Sequence, residues 1–273
     1  MTDVLEGFES TTFEFDGKTR QVLRSGSGPA VIVIAEMPGI TPGVLGFARR
    51  VVDLGCTAVL PSLFGTPGRA ISPGYALQSI GPACVSREFT TLALKKTSPV
   101  TSWLLALSRQ EHDRCGGPGV GVVGMCFTGG FALGMMVDDA VIAPVLSQPS
   151  LPFHMGKARA ADVGVSEPDL ARVKQRCEAD PDLCLIGLRF TGDKLSPRAR
   201  FATLERELGD SFVGVEIDSS PGNPYGHPRT AHSVLTEHLV DEPGQPTHDA
   251  LQQVLELFRR KLLGAPAAEG SST

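Results

Sequence analysis

The stretch PAVIVIAE, from Pro29 to Glu36, is almost continuously apolar and β-branched. A strand with one wet face alternates apolar and polar residues, so an unbroken run needs cover on both faces, as inside a parallel sheet. The residues that follow supply that cover. Met37 to Gly43 reads as a loop, Val44–Leu54 as a helix closed by Gly55, and Cys56–Leu60 as a second buried strand, together a strand–helix–strand crossover. The alternation continues, with strands over Gly119–Val123, Ala140–Leu146, Leu183–Phe190 and Ser211–Ile217. Between and after them fall helices over Thr97–Arg109, Phe131–Val137, Glu167–Glu178, Arg198–Leu208 and Thr247–Leu263. The pattern predicts an α/β fold with a mostly parallel central sheet, helices on both faces, and a leading hairpin around Asp16-Gly17 between Phe8 and Leu23.

Composition fits one core. The 273 residues are 41% apolar and 20% charged, which excludes a coiled coil or a disordered acidic chain. Because α/β domains of about 200–250 residues commonly share a single core, one domain over residues 1–263 is expected. A loop or short-helix insertion around 61–96 and a flexible tail over 264–273 complete it. The net charge of −5, with no basic block, argues against nucleic acid as a partner. The opening MTDVLEGFES is acidic where a secretory leader is basic, and no apolar run approaches the roughly 18 residues of a membrane span. The six cysteines, at 56, 84, 115, 126, 177 and 184, therefore fit reduced thiols, and the expected compartment is the cytoplasm.

The sharpest local signal is Gly124-Met125-Cys126-Phe127-Thr128-Gly129-Gly130, between an expected strand and an expected helix. A nucleophile on such a turn stands above the sheet, and the first turn of the helix offers amide hydrogens and a positive dipole end that favours a thiolate. The same residue also suits a buried structural cysteine or a redox thiol, and Gly129-Gly130 suits close helix–sheet packing. Asp193 follows the Leu183–Phe190 strand and His232 lies between the last strand and the last helix, giving the order nucleophile, acid, histidine of the sheet-based hydrolases. His227 is a rival base and Asp218 a rival acid. His238 and His248 suit surface roles, whereas His112 and His154 lie farther away in sequence, His154 as a candidate pocket residue. Glu36, ending the first buried strand, approaches the same sheet edge and can hold or move the thiol proton, pair with an arginine, or cap local amides. The amides of Met37 and Phe127 are suited to an oxyanion hole. Gly119-Val120-Gly121-Val122-Val123-Gly124 has glycines at the spacing of a dinucleotide fingerprint, but they fall within the expected strand instead of after it, with no acidic residue at a strand end about 20 residues on, which argues against such a site; neither a phosphate-binding loop nor paired metal-ligand spacing is present.

Taken together, VIVIAE with its Gly-Ile turn, the Gly124-Met125-Cys126-Phe127 turn, Thr191-Gly192-Asp193 followed by Pro197, and Ala231-His232-Ser233 before the final helix resemble the dienelactone hydrolase family. The likeness covers Pro29–Leu263 and implies an α/β-hydrolase fold. By that resemblance Cys126 is the nucleophile, Asp193 the acid, His232 the base, and Glu36 the carboxylate that engages the resting cysteine, with Met37 and Phe127 forming the oxyanion hole. The implied reaction is hydrolysis of a small carboxylic ester or lactone through a thioester, with no organic cofactor and no metal. Two departures stand out. Thr128 replaces the usual glycine, which crowds the turn. The arginine that dienelactone-cleaving members carry three residues after the His232-Ser233 segment is Thr236 here, which weakens dienelactone itself as the substrate. Arg69 and Arg87 are the alternative anchors for an acid group. Two other functions share these residues: a catalytically quiet scaffold that binds a small molecule or protein, and a redox-sensing thiol protein. The sequence does not separate monomer from homodimer.

Overall fold

In the computed structural model, which describes residues 4–72, 74–75, 98–151 and 157–264, eight strands form one sheet. Strands β1 (Glu9–Phe15) and β2 (Lys18–Ser25) make the expected hairpin, and β2 runs antiparallel to β4 (Thr57–Pro61). From there β3 (Ala30–Ile34), β5 (Val120–Met125), β6 (Val141–Ser147), β7 (Leu185–Phe190) and β8 (Phe212–Ile217) extend the sheet in parallel, in the order β1-β2-β4-β3-β5-β6-β7-β8. Every residue of β3, β4, β5 and β7 is buried, as unbroken apolar runs require. The fold is the expected α/β architecture with a mostly parallel sheet.

Among the described residues the α-helices are α1 (Pro42–Asp53), α2 (Pro99–Cys115), α3 (Gly129–Met135), α4 (Lys157–Ala161), α5 (Glu167–Ala179), α6 (Arg198–Leu208) and α7 (Pro246–Leu262). One core, around Trp103, Phe131, Val173 and Phe201, joins the sheet to α2, α3, α5 and α6, and the other, around Phe47, Val51, Leu251 and Phe258, joins its opposite face to α1 and α7. Thr41 and Ser98 cap α1 and α2 through their side chains, each followed by proline in the first turn, where a missing N–H costs nothing.

Helix α4 is not among the expected helices, α1 starts at Pro42 instead of Val44, and α2 and α3 also depart from the sequence expectation. Helix α2 continues six residues past Arg109, and of these Glu111 is fully covered and accepts from Arg24 Nε at 2.9 Å and Nη2 at 2.5 Å. Helix α3 starts at Gly129 instead of Phe131, and Gly129 lies against Pro149 so closely that a Cβ there would fall 2.7 Å from the proline ring. Within the expected insertion, Phe64 and Tyr75 are buried and the Tyr75 hydroxyl accepts from the Thr66 amide at 2.6 Å; residues 76–97 lie outside the described set, as does the tail from 265. No described helix is long and apolar enough to cross a membrane. The five described cysteines are free thiols.

Candidate active site

The chain leaves β3 toward β4 on one side, while β5 pairs with β3 on the other. A crevice opens above the carboxyl ends of such a pair, where the connections diverge. Ile34 and Gly124 are register partners, and Met37 and Phe127 each lie three residues further along in the segments that leave those strand ends. Met37 and Phe127 are the residues expected to form an oxyanion hole.

Cys126 begins the sharp turn after β5, with φ of 56°, a left-handed conformation that is strained for a side chain with a Cβ. Gly124 is required at the base of the turn: a Cβ there would meet the Thr128 carbonyl at 2.4 Å and the Ala132 methyl at 2.8 Å. Thr128, expected to crowd the turn, fastens it instead. Its fully buried hydroxyl accepts from the Met125 amide at 2.8 Å, and its single proton faces the carbonyls of Ile34 at 2.8 Å and Met125 at 2.9 Å. The turn is thereby tied to the end of β3.

Asp193 and His232 meet. Asp193 is buried beyond the end of β7, its Oδ1 accepts from the Leu195 amide at 2.9 Å, and its Oδ2 lies 2.7 Å from His232 Nδ1. His232 Nε2 is buried without a well-aligned hydrogen-bond partner. Burial alone would pull the imidazole pKa down; the Asp193 hydrogen bond, and then the hydrogen bond and charge of Cys126, outweigh it and raise the value to about 11. The imidazole lies between a carboxylate and the cysteine sulfur. A cavity of about 360 Å³ abuts this pair, lined by Asp193, Lys194, Leu195, Arg229, Thr230 and His232.

Glu36 is buried beside the site, but its partners differ from those the resemblance implies. Its Oε2 accepts from Ser233 Oγ at 2.6 Å and Gln148 Nε2 at 3.1 Å, and its Oε1 accepts from the Thr236 hydroxyl. Thr236, in place of the expected arginine, thus donates to the carboxylate. The Cys126 thiol meets Ser150 instead, Sγ to Oγ at 3.1 Å. The expected contact between Glu36 and the resting cysteine is absent because neutral donors from the Gln148 and Ser233–Thr236 segments already occupy the carboxylate.

The rival groups go elsewhere. His227 packs edge-to-face on Phe190 with ring centroids 5.1 Å apart. Asp218 accepts from the Ser220 amide at 2.8 Å, His248 pairs with Asp241 at 2.8 Å, and His112 Nε2 contacts the Gly117 carbonyl at 3.1 Å. Arg69 stacks over the Tyr75 ring at 4.1 Å. Arg87, Cys84 and His154 lie outside the described residues. His238 is half-buried and engaged: its Nδ1 accepts from the Ser233 amide at 3.2 Å and faces that of His232 at 3.4 Å, and burial lowers its pKa. It steadies the segment that carries His232. Arg200, 1% exposed, donates to the carbonyls of Pro149 at 2.7 Å, Leu195 at 3.2 Å and Asp162 at 2.5 Å, joining the loops that bear Ser150 and Asp193. Burial lowers its pKa to about 10 against the charges of Asp162, Asp193 and Cys126. The sequence carries a signal for it, since Arg200, Leu204 and Leu208 share one stripe of α6 at four-residue spacing. Among the described residues no group of three or more His, Cys, Asp or Glu side chains is arranged to hold a metal ion.

A doubly covered, mostly parallel eight-stranded sheet with a sharp strand-to-helix turn above it is an α/β-hydrolase fold. The chain belongs to the dienelactone hydrolase family, whose model matches residues 18–262, and it is a hydrolase of the carboxylic-ester type. Among solved structures it resembles a putative dienelactone hydrolase from Klebsiella pneumoniae, with TM-score 0.61 and 16% identity over 93% of this chain and 98% of that one. A dienelactone hydrolase from Anabaena variabilis gives TM-score 0.55 and 16% identity over 93% and 98%. A cold-adapted esterase from an Arctic intertidal metagenomic library gives 0.56 and 14% over 93% and 94%. No curated protein matches the chain.

Proposed function

We propose that the chain hydrolyses small carboxylic esters or lactones through a thioester on Cys126, with His232 as base and Asp193 as the acid that orients it. The observation that carries this reading is the 2.7 Å Asp193–His232 pair, combined with the effect of Cys126 on the His232 imidazole. Asp193 fixes the proton on Nδ1, leaving Nε2 to exchange a proton with the sulfur.

In the first half-reaction His232 Nε2 takes the Cys126 proton and the thiolate attacks the carbonyl carbon. A C–S bond forms, and the carbonyl π pair moves onto oxygen, which the Met37 and Phe127 amides receive. Collapse of the tetrahedral adduct expels the alkoxide, which takes the proton from His232. In the second half-reaction His232 removes a proton from water and the resulting hydroxide attacks the thioester. The C–S pair returns to sulfur and the carboxylic acid leaves.

Hydrolysis of p-nitrophenyl acetate tests the reading. The wild-type chain is expected to release nitrophenolate and Cys126→Ala to fall to the uncatalysed background. Comparable turnover by Cys126→Ala would remove the cysteine from the reaction.

A further inference from the structure

The resting nucleophile needs a partner, and Glu36 is committed elsewhere. We propose that Ser150 is a further catalytic residue, the group that holds the Cys126 sulfur in both its protonation states; this rests on the thioester reading above. The Ser150 hydroxyl lies 3.1 Å from Sγ, and the Ser150 amide donates to the Cys126 carbonyl at 2.9 Å, so two contacts fix serine and cysteine face to face.

The position is built from both sides. Immediately upstream, Gln148 has φ of 38° and its amide donates to the Leu188 carbonyl at 2.7 Å, turning the chain over β7. Pro149 is gripped between Gly129 and the Arg200 guanidinium, which bonds its carbonyl at 2.7 Å. Ser150 itself is only 7% exposed. A hydroxyl offers one donor and two acceptor lone pairs. It therefore accepts from the S–H of the resting thiol and, by rotating its proton alone, donates to the thiolate once His232 has taken the sulfur proton.

The consequence falls on states that carry charge on sulfur. In acylation the sulfur pair becomes the new C–S bond and the hydrogen bond to sulfur weakens. In deacylation hydroxide adds to the carbonyl carbon, the C–S bond breaks, and the electron pair returns to sulfur, where the Ser150 O–H receives it. Ser150 thus stabilises the thiolate both as attacking nucleophile and as leaving group.

The test pairs Ser150→Ala with Ser150→Thr, which keeps the hydroxyl. Removing one charge-assisted hydrogen bond lowers the thiolate population about tenfold where thiol predominates. The less stabilised thiolate is more nucleophilic, by about threefold for a tenfold change in basicity, so alkylation by iodoacetamide on the acid limb of its pH profile is expected to slow about threefold in Ser150→Ala. Decay of a preformed acetyl thioester is expected to slow about tenfold, and Ser150→Thr is expected to restore most of both rates. Wild-type alkylation and decay rates in Ser150→Ala, with Ser150→Thr unchanged as well, would overturn the proposal. Alkylation needs no ester, so a wild-type chain that turns over none of the esters offered yet shows the threefold effect keeps Ser150 and counts against the hydrolase reading alone.

Discussion

The Thr128 hydroxyl carries a prediction opposite in sign to the one the sequence invites. Glycine is the usual residue at this position in the family the sequence resembles, so threonine reads as a crowded substitute. In the structure it is a fully buried clasp between the Met125 amide and the Ile34 carbonyl, both at 2.8 Å. Thr128→Val keeps the shape and deletes the clasp, leaving one buried N–H and one buried C=O without their partner. Each such group costs about 1–3 kcal/mol, and allowing for partial relaxation the loss is about 2–4 kcal/mol. For a chain of this length that corresponds to a fall in Tm of about 4–16 °C. Differential scanning calorimetry with urea unfolding of both proteins measures it, and the cysteine turn is expected to loosen enough to lower kcat in the same variant. A Thr128→Val protein within about 0.5 kcal/mol of wild type, the ordinary range for a surface change, would refute the reasoning.

Further outcomes follow from the same geometry. Glu36→Gln is expected to leave Cys126 alkylation within about twofold of wild type, because the carboxylate bonds Ser233, Thr236 and Gln148 instead of sulfur, while lowering stability by about 1–3 kcal/mol; a large change in alkylation with unchanged stability would restore the contact the resemblance implies. Asp193→Asn, which presents an amide where Nδ1–H needs an acceptor, is expected to cut ester turnover by about 10⁴-fold without unfolding the chain. Turnover within tenfold of wild type would separate the pair from the chemistry. The His232 pKa, raised to about 11 from an ordinary value of about 6.5, means that the folded chain binds that proton more tightly than the unfolded one. The associated stability is complete below about pH 6.5 and is lost as pH rises toward about 11. Urea unfolding between pH 6 and 10 is therefore expected to show stability falling more steeply with pH in wild type than in His232→Gln, and parallel profiles would contradict it.

What could be read from the sequence was whatever leaves a period or a boundary. Continuous apolar runs located the inner strands, and α6 came out with the observed bounds because Pro197 precedes it and Gly209 ends it. Chain order brought Cys126, Asp193 and His232 to one sheet edge, and strand-end placement brought Glu36 to the same edge. The pieces that stayed hidden are buried polar groups satisfied by distant partners. The helix expected to end at Arg109 runs on past Glu111, whose partner Arg24 comes from β2, far away in sequence. Glu36 draws its donors from Ser233 and Thr236, two hundred residues along, and no spacing rule connects them. Ser150 had a weak signal, since β6 is the neighbour of β5 and the loop leaving its carboxyl end has to face the Cys126 turn. Identifying that serine needs the loop path set by Gln148 and Arg200, which only the folded chain provides.

The claim at the centre of this account is a thioester on Cys126 that His232 hydrolyses. Rapid-quench intact-protein mass spectrometry with an activated acetyl ester, followed by peptide mapping, addresses it directly. The account predicts an acetyl adduct on the Cys126 peptide that decays as acetate appears, and that persists far longer in His232→Ala. Continued ester turnover with no adduct on Cys126, or with the adduct on another residue, would contradict it.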